Sequence, residues 1–435
     1  MRESPRVPYH DLVTRYTAAA VYLHPALAES VLETFFGRPG RAWGPAVGID
    51  PVAVVRHAVT ARRCRRLRDA LVLTVLAVTA AVVVSRLAVR PGLAIAVALA
   101  GVAVAWLSLV ISLGWSLRRA AQVRDAQGRT AELGRPLSPP IEDRLRESTR
   151  ANIIVYATGR PFPGSGRRVH DWTIEVDVSA PLATAALDRH LAASFRGQQS
   201  DRFTALHRLY VDGRSFHTVA EGRLPHPVQH VDSEVTLAEV AAEDAGFRRV
   251  YFCLEETARD GQLVVSLFLR PRFADGVLRL EVALHALLPL GERVVGPVER
   301  LGRGPGEIIG QAVGAAGRLL IGPVGRFRRD IRRSERRSRR GRAAWLAARD
   351  RRSFDFGAGV TVREGISTDD LEAQGEALLE VAAIGASLQD RLLSSVDDFL
   401  TKHHVDTTEF AGTRESIVTS VQSWTADQIK AEMAA

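Results

Sequence analysis

Histidines and carboxylates gather between His190 and His230, and there the sequence offers its best material for acid–base or metal chemistry. His226-Pro-Val-Gln-His230, with Asp232 and Glu234 close by, supplies the donor types that a zinc-like ion takes. Pro225 and Pro227 flank the first of these histidines. They forbid the regular helix that would set residues four apart on one face. His207 and His217 bracket Asp212-Gly213 in a strand–turn–strand pattern. The cysteines are Cys64 and Cys253 alone, too few for a paired-cysteine zinc site or a disulfide framework.

Other catalytic motifs are missing. Lysine occurs only at Lys402 and Lys430, neither after a glycine-rich loop, which excludes a P-loop. No HExxH or GxSxG is present. Pro163-Gly164-Ser165-Gly166 has the wrong glycine spacing for a nucleophile elbow and is expected to be a turn. No residue is therefore assigned a catalytic, cofactor-binding or metal-ligating role, and no cofactor is implied.

Arginine is the remaining candidate. Thirteen arginines against three carboxylates lie between Arg326 and Arg352, a local net charge of +10 in a chain whose total is +9. Arg326, Arg328, Arg329, Arg332, Arg333, Arg336, Arg337, Arg339 and Arg340 are the candidate lipid contacts. Near an anionic leaflet each contributes about 1 kcal/mol within a Debye length. Nucleic acid is the competing anion, but Phe327 and Trp345 give no regular aromatic interleaving. A solvated linker is the bland alternative. The chain is rich in Ala, Arg, Val and Gly and has a single asparagine, Asn152, as a GC-rich bacterial genome would produce. Codon bias alone selects many arginines in such a chain.

What would hold this segment near lipid is a hairpin. Ala70 to Ser85 carries no charge, and with Leu87, Ala88 and Val89 it reaches the roughly 20 residues that a span needs. Leu93 to Leu117 is also free of charge, roughly 37 Å as a helix against a hydrocarbon core of roughly 30 Å. The spans are taken as 70–89 and 93–117. Arg90-Pro91-Gly92 reverses the chain between them. Arg62, Arg63, Arg65, Arg66 and Arg68 precede the first span; Arg118, Arg119 and Arg124 follow the second. Positive-inside counting places both termini in the cytoplasm of a two-span plasma-membrane protein. Small residues four apart, as at Ala96 and Ala100, permit close contact within the hairpin or across a homo-oligomer.

The rest reads as α+β. Residues 1–67 form a helical cytosolic cap, with a third helix starting at Asp50-Pro51 and running toward the membrane. Residues 68–119 hold the hairpin, and 120–150 a helical extension and linker. From Asn152 the apolar period becomes two, as in Trp172–Val178, Val250–Leu254 and Leu278–Ala286. These strands predict an α+β domain over 151–300 with an antiparallel sheet. Asp275-Gly276 is a hairpin turn, and Leu182–Phe195 and Leu237–Ala245 are helices. Residues 301–352 join a glycine-rich segment, expected at the interface rather than as a third span, to the arginine segment. Residues 353–435 are helical, with a stripe from Leu371 to Leu400 packing within its own domain.

Several motifs carry a family likeness: Tyr22-Leu-His-Pro-Ala26 and Gly48-Ile-Asp-Pro51 before the hairpin, and Ile154-Val-Tyr-Ala-Thr-Gly-Arg-Pro-Phe-Pro-Gly-Ser-Gly166 after it. Leu267-Phe-Leu-Arg270, Phe399-Leu400 and Val405-Asp406-Thr407 complete the set. The chain resembles a family of uncharacterised membrane proteins from GC-rich actinobacteria over most of its length. The tail after Ser416 departs from the glycine-rich ending of that family. The resemblance implies architecture and no activity. The expected function is a membrane-anchored, cytosol-facing scaffold that binds a protein partner not named by the sequence. The alternative is a membrane-associated enzyme of unrecognised type using the 190–235 region.

Overall fold

The computed structural model describes residues 11–37, 40–178, 183–200, 202–216, 248–302, 304–319 and 354–434. Helices α1 (Asp11–Leu23) and α2 (Pro25–Phe36) come first. The Asp50 carboxylate then accepts the Val52 N–H at 2.9 Å and the Ala53 N–H at 3.3 Å. Pro51 occupies the first helical position, where a missing N–H costs nothing. From this cap α3 runs unbroken over Pro51–Leu87, and after a tight turn α4 returns over Pro91–Arg124.

α3 and α4 are long and apolar enough to cross a membrane. Only 6% and 22% of their most apolar windows are buried inside the protein, so they are not core helices of a soluble body. Hydrophobic side chains such as Val84, Leu99 and Ile111 face outward along them. The chain is a membrane protein. Within the hairpin Gly101 packs directly on Thr79, and Val72 packs with Ala105 and Leu109. Small residues thus bring the two backbones close, as expected where lipid offers no hydrophobic drive.

The stretch expected to contain a linker holds the end of α4, then α5 (Thr130–Leu133) and α6 (Pro139–Thr149). The cause is a partner distant in sequence. Arg56 of α3 grips the Glu142 carboxylate through Nε at 2.8 Å and Nη2 at 2.7 Å, and donates to the Ala131 carbonyl at 2.9 Å. The same carboxylate accepts the Leu137 N–H at 2.9 Å. Burial opposes the charge on Glu142, yet the Leu137 N–H and Arg56 outweigh it and hold its pKa below the ordinary value. α1, α2, the first part of α3, the end of α4 and α6 share one core built on Val13, Leu32, Val55, Val123 and Leu145.

Strands β1 (Ile153–Tyr156), β2 (Arg167–Asp177), β3 (Phe203–Asp212), β4 (Arg248–Ala258), β5 (Leu263–Ala274) and β6 (Val277–Leu287) form a sheet in the order β1-β3-β4-β5-β6-β2. All neighbours are antiparallel except β1 and β3. The sheet is therefore mixed rather than purely antiparallel. β4 already occupies one edge of β3, and the short β1 satisfies its backbone on the other. Asp275 and Gly276 adopt φ of 53° and 77°, the left-handed values of a two-residue hairpin turn.

One sheet face is apolar. Leu254, Leu267, Leu280 and Leu284 pack against α7 (Thr184–Phe195) and the long α11 (Gly375–Lys402). The stripe Leu378, Val381, Leu388, Leu392, Val396 and Leu400 is buried here, so it serves its own domain. Between these elements lie α8 (Glu292–Glu299), α9 (Pro305–Leu319) and α10 (Val362–Ile366). α12 (Thr408–Gln422) and α13 (Ala426–Ala434) follow α11. The helix expected over Leu237–Ala245 lies outside the described residues.

The other face carries a buried ion pair. Arg208 is 1% exposed and Glu255 is 3% exposed. Arg208 Nη1 donates to Glu255 Oε1, and Nη2 to Oε2 at 3.1 Å. Burial would strip the proton from Arg208, but the Glu255 charge more than offsets it and raises the pKa. Glu255→Gln should strand a buried guanidinium and cost about 3–5 kcal/mol. Arg208→Met with Glu255→Leu should recover most of that loss. Thermal unfolding of the full chain in detergent checks this; equal losses in the single and double variants would contradict it.

Candidate functional site

The arginine run at the base of the hairpin splits by helical face. Ala58, Ala61, Arg65, Arg68 and Val72 follow helical spacing, and this side of α3 is turned toward protein. Arg62 Nε lies 3.3 Å from Glu29, Arg65 donates to the Val21 carbonyl at 3.0 Å, and Arg68 pairs with Asp69 at 2.8 Å. On α4, Arg119 donates to the Leu133 carbonyl and to Gln122 at 3.1 Å. Arg124 closes the end of α8 by donating to the Val298 and Leu301 carbonyls at 3.3 and 3.2 Å.

Arg63, Arg66 and Arg118 are different. They are exposed. Leu67 beside them is exposed too, and so is Trp115 on α4, whose ring meets Tyr22 edge-on at 6.1 Å. Exposed guanidinium groups and an exposed indole thus both occur near the base of the hairpin, where long basic stems and indoles are favoured at an interface. Sequence periodicity contains the signal that separates these three from their neighbours. It becomes readable once Ala58, Ala61 and Val72 are known to mark the buried side.

Below this collar a neutral network locks the helices together. Thr130 O can only accept, so His57 Nε2 at 2.8 Å carries the proton. Nδ1 then accepts the Tyr22 O–H at 2.9 Å. Burial pulls His57 down to about 4 and pushes Tyr22 up to about 12. Neither group ionises near neutral pH, so α1, α3 and α5 are joined without buried charge.

The sequence-predicted sites fare unevenly. Arg326, Arg328, Arg329, Arg332, Arg333, Arg336, Arg337, Arg339 and Arg340 lie outside the described residues, as do His217, His226, His230, Asp232 and Glu234. His207 Nε2 stands 3.5 Å from Asp188 Oδ1, with its ring 4.9 Å from Phe252. His190 packs on Phe399 at 5.5 Å. Among the described residues no group of three or more His, Cys, Asp and Glu side chains converges to hold a metal. Cys253 is fully buried, and desolvation pushes its thiol up to about 12, which leaves it without thiolate character.

An AbeC-like domain is matched over residues 163–428, more than half of the chain. The chain belongs to the AbeC-like family. The match takes in β2 to β6 and the C-terminal helices and stops short of the hairpin and the N-terminal bundle. No curated protein and no solved structure matches the chain. Membrane residence therefore rests on α3 and α4 themselves.

Buried histidine gives this AbeC-like body an acid limit. His285 of β6 is buried between Phe162 and Phe268, with ring centroids 4.9 and 5.6 Å away, and burial pulls it down to about 4. His57 and His285 bind protons more readily when unfolded, near 6.5. Stability is thus complete above pH 6.5 and is lost as pH falls toward 4, by up to roughly 3 kcal/mol each. His285→Phe keeps an aromatic ring in place and should roughly halve the fall in melting temperature between pH 7 and pH 4.5. An unchanged slope would contradict the assignment.

Proposed function

We propose that this AbeC-like protein is a membrane-anchored scaffold whose α+β body faces the cytoplasm, held against the anionic leaflet by arginines at the base of its hairpin. One observation carries this proposal. Among the basic residues that flank the two spans, some side chains terminate on protein while Arg63, Arg66 and Arg118 stand exposed, as does Trp115 on α4. Side chains that close a bundle need to turn inward; side chains that meet headgroups need to turn outward. Both are present, sorted by helical face.

Orientation follows from charge. The arginine-rich flanks lie on the side of the body, and the short loop around Pro91-Gly92 lies on the other. Positive residues favour the cytoplasmic side, so both termini are assigned there. The Arg326–Arg352 segment would add its charge to the same leaflet. The assigned partners are the bilayer, its anionic headgroups and a protein that docks on the body.

Two measurements test this. In a chain with Cys64 and Cys253 replaced, Gly92→Cys should react with an impermeant thiol reagent on intact cells, while Ser4→Cys and Ala434→Cys should not. Reaction at residue 434 but not residue 4 would mean an odd number of spans. In nanodiscs, acidic lipid should raise the melting temperature of the native chain above its value in neutral lipid. Salt should erase part of the gain as the Debye length falls from about 10 Å at 0.1 M to about 3 Å at 1 M. The triple change Arg63→Gln, Arg66→Gln and Arg118→Gln should remove about 1 kcal/mol per arginine. An undiminished gain in the triple variant would exclude the collar as the lipid contact.

A further inference from the structure

We infer that α9 is a third membrane element, which lies against the hairpin in the leaflet on the side of the body and presents one flank to lipid acyl chains. This rests on α3 and α4 crossing the bilayer. Its physical basis is where α9 packs. Ala312 meets α4 at Gly114, where a built Cβ would lie 3.9 Å from the Ala312 Cβ. Four residues on, Ala316 is buried with Val72 of α3 and Ala105 and Leu109 of α4. These partners belong to the charge-free stretches of the hairpin, not to its polar base. Leu109 lies eight residues inside Leu117, about 12 Å along the helix at 1.5 Å per residue.

The direction follows from the same contacts. As α9 advances from Ala312 to Ala316, its partners on α4 recede from Gly114 to Leu109 and Ala105. α9 therefore runs antiparallel to α4, from the base into the bilayer. Its described length, Pro305–Leu319, is 15 residues, or roughly 22 Å, which carries it well into a core of roughly 30 Å.

The surface of α9 fits lipid. Ile308, Ala312 and Ala316 are buried, while Ile309 and Val313 are 51% and 39% exposed. Ile111 of α4, near the depth of Val313, and Leu107, further in, are exposed in the same way, so the flank of α9 continues the lipid-facing surface of the hairpin. Among the described residues Gly306, Gly310 and Gly314 have nothing within 4 Å of a built Cβ, so no close approach there accounts for them. In water each weakens a helix. In lipid a helix is held because no solvent satisfies an opened backbone, and glycine is common there. Arg318 lies two residues beyond Ala316 on this helix, a position where a long stem lets a guanidinium snorkel toward headgroups; Gln311, closer to the base, has its amide folded back. Nε2 donates to the Arg300 carbonyl at 2.8 Å, and Oε1 accepts the Gly302 N–H at 3.5 Å.

The test uses the full chain, reconstituted in vesicles of phosphatidylcholine and phosphatidylglycerol, with Cys64 and Cys253 replaced. Single spin labels at Val313, at Leu107 and at exposed Thr419 of α12 report collision with oxygen, which enters lipid, and with a nickel chelate, which stays in water. Val313 should side with Leu107 rather than with Thr419, with oxygen favoured several-fold over nickel relative to Thr419. Separately, Gly114→Cys with Ala312→Cys should form a disulfide on mild oxidation, since 3.9 Å is within the Cβ–Cβ range of such bonds. Loss of two free thiols by mass spectrometry reads it. Nickel access at Val313 with Leu107 in lipid overturns the inference, whether or not the disulfide forms. Nickel access at Leu107 itself overturns the two-span assignment beneath it.

Discussion

An α-helix satisfies its own backbone hydrogen bonds, so it passes from water into hydrocarbon without interruption, and α3 does so. Its first turns are built into the soluble bundle, and its last turns are part of the span. A rod of this kind permits no swivel between the two. The faces that Arg56 and His57 turn toward α5 and α6 determine, at 100° per residue, which way Arg63 and Arg66 point. Arginine exposure and bundle packing are therefore two consequences of one helical phase.

The bundle is in turn joined to the sheet by specific polar contacts. Arg363 of α10 is buried and donates to the Gln262 carbonyl at 2.6 Å, the Leu288 carbonyl at 3.0 Å and Ser367 Oγ at 2.6 Å. Burial pulls it down to about 10, which still leaves it charged at neutral pH. Glu364 beside it caps its own helix by accepting the Thr361 N–H at 2.8 Å and reaches across to the Gly164 N–H at 2.9 Å. The loop that carries Phe162 is thereby held over the aromatic face of the sheet, on Phe268, Tyr251 and His285. Apolar contact continues the seam, with Val47 buried against Val264 and Leu287.

How much of this was legible in the sequence follows from the range of the interactions. The hairpin needed only local composition, and its two helices appeared where charge was absent. Strands with period-two alternation, such as Leu278–Ala286, declared their inward face, and Asp275-Gly276 declared its turn. Within the stretch from residue 120 to 150, α6 was not legible, because its place depends on Glu142 meeting Arg56, 86 positions away. β1 was equally hard to place. Its four residues carry no register, and its parallel pairing with β3 is set by which edge of that strand is free. At the base of the hairpin, sequence supplied the arginines and not their partition. That partition depends on which side of α3 the bundle covers.

The partition also decides what an arginine-rich composition means. Arg56, Arg124, Arg208 and Arg363 each spend several donors on carbonyls or carboxylates. A guanidinium presents five donors in a planar fork, which one lysine ammonium cannot reproduce at such sites. In a chain with two lysines, arginine therefore performs structural closure as well as surface charge. Net charge counts these uses together, although a buried, paired arginine exerts little field outside the protein. The charge that can act outside the protein is the exposed remainder, which at the hairpin includes Arg63, Arg66 and Arg118 at its base and Arg86 and Arg90 at its turn. Geometry rather than composition thus separates arginines that hold this AbeC-like protein together from those available to a lipid phosphate.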